Sequence, residues 1–339
     1  MGFKRFDAQD FVVSADAVQS TAWSTDEPTL STFFTSSAQK AASSGNYYVS
    51  VYQSNPTTAG SLVQFDITYG NKFGSGSTFF DVNYPQYSPS STVYGQYRTM
   101  ILEDENSSFI FGEGDNTLST NDFYVLSIDR ARFKESIFPG TLNLKLTGAG
   151  GDHGTVHLTD NSNSTKLQTF IGSSRVLQLV SGSNGTANVD GGYVAGSGSY
   201  GLVFPELGTI ILNPDAINQS IGISPNRASN VNNQVNADKA FNFIKNGASF
   251  TMNSQETITS DYIFVRSRNS EFNYSTNPSF VTGSTGEVVF QQFINNPQVY
   301  ITTVGMYNDA NECIAVAKLS RPLEKDFTKE SLIRVKLDF

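Results

Sequence analysis

The chain has 339 residues, of which 38% are hydrophobic and only 16% charged, with a net charge of −9. An acidic chain gains nothing from counterion release on DNA, which argues against a nucleic-acid partner. One cysteine excludes an intrachain disulfide, and no apolar run is long enough to span a bilayer.

The low charge is made up by Ser, Thr, Asn and Gly, while Phe and Tyr reach 26 and 15 copies. Aromatic residues pack on pleated faces and Asn, Gly and Ser supply turns. The expectation is a mainly β protein with a few short helices, a β-rich α+β chain of several domains. The profile is common in extracellular adhesins and virion components. The opening Met1-Gly2-Phe3-Lys4-Arg5 runs into Phe6-Asp7-Ala8-Gln9-Asp10, not an apolar core, so no signal peptide is expected. Gly2 also lacks the Ser or Thr of a myristoylation signal.

Residues 1–45 read as an N-terminal arm with Phe3, Phe6 and Phe11 among charges. Asp26-Glu27-Pro28 marks a helix start, with Leu30, Phe33 and Phe34 on one face and Ser43-Ser44-Gly45-Asn46 as its end. Residues 46–148 read as an α+β domain. It has strands over 47–52, 62–69, 109–111, 123–129 and 141–147, and helical spacing over 90–102 through Val93, Tyr97, Met100 and Ile101. Arg130-Ala131-Arg132, flanked by Asp129 and Glu135, reads as a helical turn with a solvated, salt-bridged face.

Residues 149–260 form a Gly/Ser/Asn-rich β domain. Strands are expected at 176–180, 202–204, 209–212 and 249–257, with Asn213 or Asp215 capping a short helix. Residues 222–236 read as an exposed loop, and 237–246 as a helix with Gly247 as its C-cap. Residues 261–339 form a C-terminal β-sheet region. A strand at 262–267 leads to a hairpin of 299–304 and Cys313–Leu319, ended by Arg321-Pro322 because proline cannot donate to a ladder. Asp326 or Thr328 is expected to cap a helical turn over 329–331. A last strand, 332–339, needs a sheet to hold it, this chain's own or a neighbour's.

The residues that carry chemistry elsewhere do not assemble into a motif. His153 and His157 are four apart, but Gly154 and the β-branched Thr155-Val156 oppose a helix. On a strand they would stand about 13 Å apart, too far for one metal. They read as exposed loop or strand residues. Asp160-Asn161-Ser162-Asn163-Ser164-Thr165 lacks the glycine and the bidentate glutamate of a calcium loop, with Ile171 at the twelfth position. Gly148–Gly151 and Gly182-Ser183-Asn184-Gly185 are not phosphate loops. No GxSxG is present, and acidic residues such as Asp104, Glu105 and Asp115 read as solvated loop groups. Cys313 reads as a buried, small apolar strand residue. No catalytic, cofactor-binding or metal residue is assigned, and no enzyme is expected.

The C-terminal run YITTVGMYNDANECIAVAKLSRPLEKDFTKESLIRVKLDF resembles the ends of structural proteins of T4-like contractile-tailed phages, cyanophages above all. Those ends join a TTVGLYND strand and turn to AVAKLS and KVKLDF strands. FVRSRNSEFNYSTNPSF (264–280), VYGQYRTMILED (93–104) and IDRARFKESIFPGTLNLKLTG (128–148) resemble the same proteins. Met306 and Cys313 stand where those proteins are expected to carry Leu.

The resemblance implies a non-enzymatic subunit of a myovirus tail, in or near the baseplate. Its implied partners are other tail and baseplate proteins, with several copies in a symmetric assembly. It would be made and assembled in the host cytoplasm and reside in the virion tail, without nucleic acid or membrane insertion. The C-terminal strand 332–339 and the N-terminal aromatic arm are the expected interfaces. The alternative is a tail-fibre attachment or receptor-binding protein that meets host surface glycans with an aromatic groove in the 150–235 region.

Overall fold

The computed structural model describes residues 4–74, 89–148, 154–164, 169–228, 233–275 and 278–338. The chain is mainly β, with short helices. β1 (Phe11–Thr21) is followed by two short strands, β2 (Thr29–Leu30) and β3 (Phe34–Thr35), and one helical turn, α1 (Ser37–Ala41). Next come β4 (Val49–Tyr52), β5 (Val63–Asn71) and the helix α2 (Ser90–Leu102). The hairpin β6 (Phe109–Glu113) and β7 (Asn116–Thr120) precedes β8 (Asp122–Ile128), β9 (Ser136–Ile137), β10 (Asn143–Thr147) and β11 (Thr155–Asp160). Then come β12 (Thr169–Ile171), β13 (Ser174–Ser183), β14 (Thr186–Ala187), β15 (Gly201–Phe204) and β16 (Thr209–Leu212). Helices α3 (Pro214–Ile221) and α4 (Asn233–Gly247) lead to β17 (Phe250–Thr251) and β18 (Asn253–Ser267). A short α5 (Gln291–Asn295), β19 (Val299–Tyr307), β20 (Cys313–Lys325) and β21 (Ser331–Asp338) complete the described chain.

By packing, the chain divides into residues 18–256 and a second unit made of 1–17 with 257–339. The segments expected from the sequence partition the chain differently, since one sheet draws strands from 1–45, 46–148 and 149–260. That sheet runs β2-β17-β10-β11-β13-β15-β16-β8-β5-β4-β3, with β12 and β14 added to β13. Its two end strands, β2 and β3, are separated by only three residues. A chain that short reaches no more than about 14 Å from Leu30 to Phe34, so the sheet curls until its ends meet. Phe65 of β5 touches Phe250 of β17, ring centroids 5.5 Å apart, although the two strands lie near opposite ends of the order. Helix α4 contacts both β5 and β10 inside this curl. Its buried Ala237, Ala240, Phe243 and Ile244 follow the helical period. On the other face, Tyr94 and Ile101 of α2 and Phe109 and Phe111 of β6 pack on Phe123 and Val125.

Several expectations change. Residues 26–45 hold two short strands, one helical turn and the start of a 3-10 turn at Ser43 in place of a helix: Phe250 pairs with Leu30 and Tyr52 with Phe34, so tertiary pairing outweighs local spacing. α4 begins at Asn233, inside the expected loop. Its left-handed terminal residue is Ala248, at φ 52°, not Gly247. Gly247 is instead the point where the helix meets β10, since a Cβ there would lie 1.8 Å from the Lys145 carbonyl oxygen.

β20 runs through Arg321-Pro322 to Lys325. Thr303 pairs with Lys318 and Ile301 with Leu323, so 319–322 oppose only Thr302. Pro322 thus stands in a bulged stretch that needs no donor from it. Asp326 accepts from the Thr328 backbone N–H at 2.8 Å and shapes a turn without a helix.

In the second unit, β18 lies between β1 and β21. β21 pairs antiparallel with Ser260–Ser267, so this chain's own sheet holds the last strand. Ile263, Ile333 and Val335 face Val304 and Met306 of the β19–β20 hairpin.

Candidate functional site

The second unit has a small interior and a large apolar exterior. Its buried hydrophobic cluster consists of Ile263, Val304, Met306, Ile333 and Val335. The hairpin alternates with the period of a strand: Val304 and Met306 point inward, paired with Ala317 and Ala315. On the outer face Ile314 and Val316 are 70% and 64% exposed. Val316 pairs with Gly305, and the Tyr307 ring lies over that glycine. In β1, Phe11, Val12 and Val13 are consecutive and all exposed, so apolar groups stand on both faces of an end strand. Between 278 and 303 no residue is buried; there the Phe280 ring meets the half-exposed or exposed rings of Phe290 and Phe293, at 5.3 and 5.4 Å.

Of the expected N-terminal arm, the described residues 4–17 belong to this unit. Phe6 packs against its core and meets Phe11 edge to face, and Lys4 binds the Arg266 carbonyl and Glu271. Phe3 lies outside the described residues. The other expected interface, 332–339, alternates: Ile333 and Val335 are buried and Leu332, Arg334 and Lys336 exposed.

Within residues 18–256 there is a polar cavity of about 250 Å³. Antiparallel register sets Asn71, the last residue of β5, opposite Asp122, the first of β8. The β6–β7 hairpin delivers Ser119 and Thr120, and Asp215 comes from the first turn of α3. That turn is fixed locally: Asn213 caps it by accepting from the Asp215 and Ala216 N–H groups, and Pro214 follows as the first helical residue.

Arg227, between α3 and α4, donates Nε and Nη2 to Asp122 at 2.8 and 3.1 Å, and Nη2 also to Asp215 at 2.6 Å. Tyr69 donates its hydroxyl to Asp122 at 2.8 Å. Burial, then the Asp122 charge, pushes the Tyr69 hydroxyl far above its ordinary pKa, so it stays a donor. Burial works against the Arg227 charge, but its bonds to the two carboxylates outweigh this and raise its pKa. Phe73, 69% exposed, completes the lining with Asn121.

The residues weighed from the sequence lie elsewhere. His157 is exposed on β11, and His153 lies outside the described residues. The Asp160 carboxylate is buried and accepts from the Gly140 and Ser162 N–H groups, so it is spent on a turn. Asn184 and Gly185, both at positive φ, make the tight turn between β13 and β14. Of the other glycine cluster, 149–151 lie outside the described residues. Asp104 shapes its own loop by accepting from Asn106 and Ser107. Arg130 lies 4.7 Å over the Phe133 ring. Cys313 is exposed, not buried: β20 begins there beyond the covered stretch, and its partner Tyr307 is itself exposed. The cavity escaped sequence reading because its lining comes from four separated stretches.

Among the described residues no group of three or more His, Cys, Asp or Glu is placed to hold a metal, and no helix is long and apolar enough to cross a membrane. No family model, curated protein or solved structure matches the chain.

Proposed function

We propose that the chain is a non-enzymatic structural subunit of a contractile phage tail, in or near the baseplate, that assembles through contacts made by residues 1–17 and 257–339. The observation that carries this is the imbalance in that unit. It buries five hydrophobic side chains as a core while Val13, Ile294, Tyr300, Ile314, Val316 and Leu332 are each 60% exposed or more. Exposed apolar side chains beside so small a core support contact with another protein. The likeness of its C-terminal words to phage tail proteins supplies the setting, the virion tail. A multi-copy assembly of tail proteins is the partner that fits. Tracing this chain in a cryo-EM map of intact virions tests the reading. Burial of the outer β19–β20 face against neighbouring subunits is the expected result; absence from the tail, or that face turned to solvent, overturns it.

A further inference from the structure

We propose that the cavity beside Arg227 is a binding subsite for a neutral, hydroxyl-rich ligand the size of a monosaccharide. This goes beyond an assembly role, and either can fail without the other.

The walls are preorganised. Asp122 is buried and held by Tyr69 and Arg227 at three hydrogen-bond contacts, so its position does not depend on a ligand. The rim still has capacity. Arg227 Nη1, Asp215 Oδ2, Asn71 Nδ2 and the Asn121 and Ser119 side chains make no hydrogen bond to any described residue, and all belong to lining residues. Donors and acceptors thus line one small space together. A hydroxyl serves both roles at once, which a simple ion does not.

Charge narrows the class further. Two carboxylates against one guanidinium leave the cluster net negative, so an anion is repelled. Both carboxylates are already engaged by Arg227, and a metal would have to displace it. A neutral ligand meets neither penalty.

Size and shape agree. The volume, about 250 Å³, is below the usual range for drug-sized ligands. The exposed Phe73 ring at the rim offers an apolar face, to which the C–H face of a sugar ring is complementary.

Saturation-transfer NMR on the full chain tests this, with neutral hexoses and pentoses, a uronic acid and glycerol as probes. Phe73→Ala and Asn121→Ala, both at exposed positions, serve as variants, with circular dichroism to confirm their fold. The expected result is transfer to at least one neutral sugar at about millimolar affinity, weakened about five- to tenfold by each substitution, with the uronic acid and glycerol weaker. No transfer to any neutral sugar, binding unchanged in both variants, or preference for the uronic acid or for glycerol overturns the proposal.

Discussion

Trp23 donates its indole N–H to the carbonyl of Phe250 at 2.9 Å, and the two rings meet edge to face with centroids 4.9 Å apart. This contact lies where the curled sheet comes back on itself, since β17 pairs with β2 just beyond Trp23. Trp23→Phe removes the donor and is expected to cost about 1–3 kcal/mol. Trp23→Ala also leaves a cavity and should cost about 3–5 kcal/mol. Urea unfolding followed by far-ultraviolet circular dichroism checks both. Trp23 is the sole tryptophan, so its fluorescence in the wild type reports the same transition.

Two adjacent residues at the end of α4 should respond in opposite directions. Ala248 occupies a left-handed conformation that disfavours a Cβ, so Ala248→Gly should stabilise the protein by about 0.5 kcal/mol after the entropy of the unfolded chain is counted. Gly247→Ala would drive a methyl group into the Lys145 carbonyl and should cost more than about 2 kcal/mol. Thermal melts of the two variants decide the matter; equal shifts would contradict it.

Asp66 lies on β5 between Ser50 and Ser127 of the neighbouring strands, and among the described residues its Oδ1 has no hydrogen-bond partner. Burial, followed by the nearby Asp129 charge, raises its pKa, while a bond from Ser50 partly opposes this. A carboxyl with a raised folded pKa favours the fold below its unfolded pKa of about 3.9, and that contribution is lost as pH climbs through the folded value. Asp66→Asn should therefore raise the urea midpoint at pH 7 and lose this advantage near pH 3. A midpoint difference independent of pH would rule the argument out.

The two faces of the β19–β20 hairpin should separate folding from assembly. Ile314→Asp and Val316→Lys change exposed side chains and should shift stability by no more than about 0.5 kcal/mol. On the proposed function, the double variant folds but is not incorporated into virions. Val304→Asp, by contrast, puts a charge in the small core and should unfold this unit. Truncation of 332–339 is less informative, because it removes nearly all of β21, the strand partner of β18.

Lys325 is fully buried, and its ammonium donates to the carbonyls of Asn269 and Asp326 and to Asn273 Oδ1, at 3.0, 3.0 and 2.8 Å. It ties the segment after β18 to the end of β20. Lys325→Met leaves these acceptors without their donor and should cost about 3 kcal/mol. Loss of amide-exchange protection around 269–273 is the readout.

Elements with a strong local period were legible from residues alone. Val93, Tyr97, Met100 and Ile101 announced α2, whose observed span is Ser90–Leu102. Alternation announced the β19–β20 pair, and of the two expected caps, Asn213 and Asp215, it is Asn213 that starts α3. The stretch around Leu30 and Phe34 has helical spacing as well, yet became two strands, because pairing with β17 and β4 also buries Leu30 and Phe33 in the core, a gain local spacing does not register. Cys313 was misplaced for a related reason: a strand pattern tells which residues share a face, not whether anything covers it.

Composition and period by themselves determined a mainly β chain with few helices, because strand and helix preferences are local and repeat within a few residues. Closure of the sheet, the exposure of one unit's apolar face and the gathering of Asn71, Asp122, Asp215 and Arg227 around one cavity were decided only by the tertiary structure. Each depends on contacts between residues tens to hundreds of positions apart, and no local pattern records which strand will lie beside which.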